Sequence, residues 1–70
     1  MSPYSSDRDY KQAVKFFNKA QTDWDKGKLT NAIQFFIKTA DELADVGTPE
    51  ADELRRQVAQ LIRQVEQQLQ

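Results

Sequence analysis

Three runs of apolar residues are spaced by threes and fours along the 70-residue chain, and that spacing draws three helices. The first run, Tyr10, Ala13, Phe17, Ala20 and Trp24, predicts a helix over about 7–25, with Val14 and Phe16 widening its stripe. The second, Leu29, Ala32, Ile33, Phe36, Ala40 and Leu43, predicts a helix over about 30–45. Phe35 and Ile37 lie roughly 100° to either side of that stripe. Such a helix is apolar over much of its circumference and belongs in the centre, touching a neighbour on each side. The third run, Ala51, Leu54, Val58, Leu61, Ile62, Val65 and Leu69, predicts a helix over about 49–68. Its other faces are Arg and Gln. The expected fold is all-α: an antiparallel three-helix bundle made of a helical hairpin and a closing third helix.

The punctuation agrees with this division. Gly27 suits the left-handed residue that ends a helix. Gly47 suits the end of the second helix, Thr48 an N-cap, Pro49 the first helical position and Glu50 the first turn. Ser5 or Ser6 suits the N-cap of the first helix, with Asp7 and Asp9 in its first turn. Residues 1–5 read as a disordered lead-in and residues 6–70 as one bundle domain. A chain this short buries only about 60% of its unfolded surface, so its core is one thin layer.

The totals narrow the chemistry. Net charge is -1 and the pI near 5.2, so no overall positive field exists to hold nucleic acid. The chain has no Cys and no His, which excludes disulfides, thiolate nucleophiles and His- or Cys-ligated metals. No apolar run reaches the roughly 20 residues of a membrane span. The N-terminus lacks the pattern of a secretory signal, so a cytoplasmic location is expected. No glycine-rich phosphate loop is present, and the carboxylates fall on apparent surface lines. Neither an enzymatic activity nor a cofactor is therefore expected.

Charge is unevenly spread. Asp41, Glu42, Asp45, Glu50, Asp52 and Glu53 surround the second turn without a base among them. Helix-end electrostatics accounts for several of these acids, and they lack the alternating ligands of a calcium loop. Lys11, Lys15 and Lys19 recur every fourth residue along the first helix. They read either as a solvated face or as a basic strip for an acidic partner.

With catalysis set aside, binding is the expected function. Arg55, Arg56, Ala59, Ile62 and Arg63 lie beside the apolar stripe of the third helix. Together with Phe35 or Ile37 they predict a shallow groove for a peptide helix. The competing expectation is a homodimer in which the spare apolar residues seal a two-fold interface.

Two families resemble this pattern. Ala20, Gly27 and the Ala32-Ile33-x-x-Phe36 run resemble a single tetratricopeptide repeat, with Phe16 in place of the early Trp. That likeness covers about half the chain and implies an adaptor in a larger assembly. The whole chain is similar to the MIT (microtubule-interacting and trafficking) domain. The similarity rests on AVKFFNKA at 13–20, on Gly27 and Leu29, on Ala32-Ile33-x-x-Phe36, and on Leu61-Ile62-Arg63-Gln64-Val65-Glu66. It departs from that family where Trp24 replaces a late acidic residue and where the second helix is shorter. The resemblance implies a protein-transport module that binds short peptides in a groove between helices.

Overall fold

A computed structural model of the chain describes residues 3–70, with side chains described from Arg8 onward. It is an all-α, three-helix bundle of α1 (Pro3–Asp25), α2 (Leu29–Leu43) and α3 (Pro49–Leu69). No strand occurs among the described residues. The Cα envelope measures 44 × 17 × 13 Å, so the core is a single layer running the length of the helices.

Helix α2 is central, as its wide apolar surface requires. It packs against both α1 and α3, whose backbones hardly approach each other. Side-chain size explains the arrangement. Ala13, Ala20 and Ala32 are fully buried, and these small residues let α1 and α2 come close together. Tyr10, Phe17 and Trp24, seven residues apart, lie along the neighbouring line of α1. Tyr10 packs beside Leu54 in a cluster of Ala13, Leu43, Val46 and Ala51. Phe17 and Trp24 meet Phe36 edge-on, with centroids 5.7 and 6.1 Å away. Trp24 Nε1 also donates to Gln68 Oε1 at 3.0 Å, tying the C-terminal ends of α1 and α3. Phe36, at 0% exposure, stands where all three helices contribute, with Val58 and Val65 of α3 in the same cluster.

The turns follow local chemistry. Gly27 has φ +79°, the left-handed conformation that costs a glycine nothing sterically. Around it the Gly27 N–H donates to the Trp24 carbonyl, and the Lys28 N–H to the Asp23 carbonyl at 2.8 Å. Thr48 caps α3, its Oγ1 accepting from Ala51 N–H at 3.1 Å with Pro49 next in line.

Several boundaries differ from expectation. α1 begins at Pro3, so helix replaces the expected lead-in over residues 3–5, and Met1 and Ser2 lie outside the described residues. Ser5 and Ser6 therefore fall within the helix and not at its N-cap, and Asp7 and Asp9 fall beyond its first turn. α2 ends at Leu43 and not Asp45, and Gly47 is not left-handed. The cause is Val46, 4% exposed, which folds under the bundle beside Ala13, Leu43 and Ala51. Burying that side chain requires the chain to leave the helix before it, and the Val46 N–H then donates to the Leu43 carbonyl at 3.0 Å.

Candidate groove and charged faces

The two flanks of α2 meet different neighbours. Phe35 turns toward α1, where its ring lies 6.0 Å from that of Phe16. Both rings are half-buried. Ile37 is on the opposite flank and is 46% exposed. It shares a line with Ile33 and Ala40, three and four residues away.

Ala40 lines an open groove of about 400 Å³ between α2 and α3, together with Asp52, Arg55, Arg56, Val58, Ala59 and Ile62. Of the residues expected at a binding groove, Arg55, Arg56, Ala59 and Ile62 are thus brought together. Ile37 is exposed one turn of α2 from Ala40 and does not itself line the groove. Arg63 is exposed and does not line the groove, although it is one helical turn from Ala59. Phe35 is a correction: it belongs to the α1 side and has no place in this groove. The 3.6-residue period puts Phe35 and Ile37 at mirror-related angles, and only the hand of the hairpin decides which one α1 covers.

The groove's charges are not all alike. Arg56 donates through Nη2 to Glu53 Oε1 at 2.8 Å. That hydrogen bond and the adjacent guanidinium charge hold the Glu53 carboxyl below its ordinary value. Both groups are exposed, so the pair contributes little to stability. Arg55 and Arg63 form no ion pair among the described residues. They leave positive charge facing solvent along the α3 rim, against the one lining carboxylate, Asp52.

One carboxylate overturns the expectation that all of them lie on surface lines. Asp23 is fully buried. Its Oδ1 accepts from Lys19 Nζ at 3.1 Å, and its Oδ2 has no hydrogen-bond partner. The signal was present in the sequence: Ala13, Phe16, Ala20 and Asp23 are spaced three, four and three, a line of α1 that faces α2. Lys19 Nζ also lies 5.7 Å from the Phe35 centroid. Lys38 Nζ lies 5.2 Å from Phe35 and 5.7 Å from Phe16. Two ammonium groups therefore converge on one ring. The acids around the second turn do not converge: among the described residues no three His, Cys, Asp or Glu side chains come together as a metal site would require. No helix among them is long and apolar enough to cross a membrane.

Comparison of the chain with protein-family models, with curated proteins and with solved structures gives no match.

Proposed function

We propose that the chain is a small, non-catalytic protein-interaction module that takes an amphipathic helix with acidic flanks into the groove between α2 and α3. The observation that carries this reading is Ile37. A β-branched apolar side chain stands 46% exposed one helical turn from Ala40, which lines the groove, while the other exposed side chains of α2, Thr30, Asn31, Gln34, Lys38 and Asp41, are polar. A helix bearing apolar residues at spacings of three and four would cover Ile37, Ala40, Ala59 and Ile62 at once. Arg55 and Arg63 supply the charge complementarity. Arginines at a rim favour acidic flanks on the partner and raise association rate more than affinity. The buried carboxylate, the one group suggestive of catalysis, does not line this groove and is engaged by Lys19. The likeness to MIT domains, which also use grooves between helices of a three-helix bundle, points the same way.

Titration with a helical peptide carrying Leu on one face and Glu on its flanks tests this reading. Ala59→Glu places charge in the groove and Ile37→Asp one helical turn beside it, both at exposed positions, so both variants should fold. Each should weaken binding at least about tenfold, the equivalent of 1.4 kcal/mol. Unchanged affinity in both folded variants would remove the groove as the site. Sedimentation at several concentrations addresses the competing occupant: a dimer that Ile37→Asp dissolves would mean that a second copy fills the groove.

A further inference from the structure

The face of α1 and α2 that lies away from α3 is a second, independent surface. Phe16 and Phe35 form its half-buried apolar centre, with centroids 6.0 Å apart. Lys19 and Lys38 both stand over Phe35, and Lys38 over Phe16 as well. Lys15 is exposed one helical turn before Lys19. Lys26 and Lys28 occupy the turn that closes this end of the hairpin. Lys15, Lys19 and Lys26 thus fall within about 16 Å along the α1 direction, at 1.5 Å per residue, with Lys28 in the turn and Lys38 facing them from α2. The carboxylates nearby offset them only in part at the surface: exposed Asp25 stands beside Lys26 at the turn. Asp23 is buried beneath Lys19, and Glu42 lies one turn beyond Lys38, at the far end of the face. This is a local excess of positive charge on a chain whose net charge is -1.

Two of these lysines, Lys19 and Lys38, also have contacts that restrain them. A solvated lysine moves among many rotamers and gives up that freedom when it binds. Lys19 is restrained by its bond to Asp23 and by the Phe35 ring, and Lys38 by two rings. An otherwise unexplained feature, a buried carboxylate with an unpartnered oxygen, is what anchors Lys19.

We propose that Lys15, Lys19 and Lys38 form a docking surface for a short acidic segment of a partner protein, with Asp23 as the positioning residue that holds Lys19 over Phe35. A short acidic segment fits better than a long polyanion. The positive patch is brief, and the carboxylates around the α2–α3 connection would repel a polymer that extended past it.

The test is titration of the ¹⁵N-labelled full chain with a short Glu-rich peptide carrying one Trp, followed through amide shifts. Shifts should centre on Lys15, Phe16, Lys19, Phe35 and Lys38 and weaken as salt is raised. Lys15→Glu combined with Lys38→Glu should reduce affinity at least tenfold. Asp23→Asn is the decisive variant. It raises net charge by one, so attraction by bulk charge alone predicts tighter binding, whereas loss of the Lys19 anchor predicts binding several-fold weaker, with the melting curve confirming that the variant is folded. Absence of binding, tighter binding by Asp23→Asn, or shifts confined to the α2–α3 groove would each overturn the proposal. So would preferential binding, on this face, of a single-stranded oligonucleotide or of vesicles containing phosphatidylserine.

Discussion

Phe36→Ala is the sharpest test of the packing. The side chain is fully buried, and it meets Phe17 and Trp24 of α1 edge-on while sharing a cluster with Val58 and Val65 of α3. Truncating a buried Phe to Ala costs about 3–5 kcal/mol, the transfer loss plus the cavity it leaves. A domain of this length has about 4–10 kcal/mol in total, from roughly 0.05–0.15 kcal/mol per residue. The variant should therefore lose between about a third and all of its stability. Phe36→Leu keeps most of the volume but forfeits the two edge-on contacts, so it should cost about 1–2 kcal/mol. That loss corresponds to a melting point lower by roughly 5–15 °C. Urea unfolding followed by far-ultraviolet circular dichroism measures both, with an unchanged slope showing that folded-state stability is what moved. If Phe36→Ala unfolds within about 1 kcal/mol of the wild type, Phe36 is not the centre of the bundle and α2 is placed the wrong way round.

Further outcomes follow from the turns and from the buried acid. Gly27→Ala should cost about 1 kcal/mol or more, since φ +79° is strained for any residue with a Cβ. Gly47→Ala should be neutral or stabilising by up to about 1 kcal/mol, because its φ is ordinary and a Cβ there meets nothing within 4 Å; equal losses at the two glycines would contradict this turn geometry. Thr48→Ala should cost about 1 kcal/mol through the lost cap, with Thr48→Ser largely retaining it. Asp23→Ala removes a buried oxygen that has no partner and adds a better helix former, against the loss of a pair whose lysine is half exposed. Its thermal midpoint should equal or exceed the wild-type value, and a clear drop would mean that Oδ2 has a partner in solution.

The local signals were legible because they are local. A 3.6-residue period, a threonine ahead of a proline, and a glycine after an apolar run act within a few residues, so three helices, the left-handed Gly27 and the Thr48 cap could be read directly. Phe36 and Ala32 as core follow from the same period. What the sequence left open was each choice between two equivalent sides. Phe35 and Ile37 are mirror-related about the α2 stripe, and only the packing of α1 through its alanines covers one and exposes the other. The groove residues Arg55, Arg56, Ala59 and Ile62 share a helix face, but Ala40 joins them only once α3 lies along that flank of α2. Asp23 looked like one more surface acid because its type outweighed its position. The close approach of α1 and α2 at Ala20 and Ala32 buried it, and a carboxylate cannot signal from its own chemistry that a neighbouring helix will come that near. Val46 ended α2 early for the same kind of reason: the gap it fills beside Ala13 and Ala51 exists only when all three helices are in place.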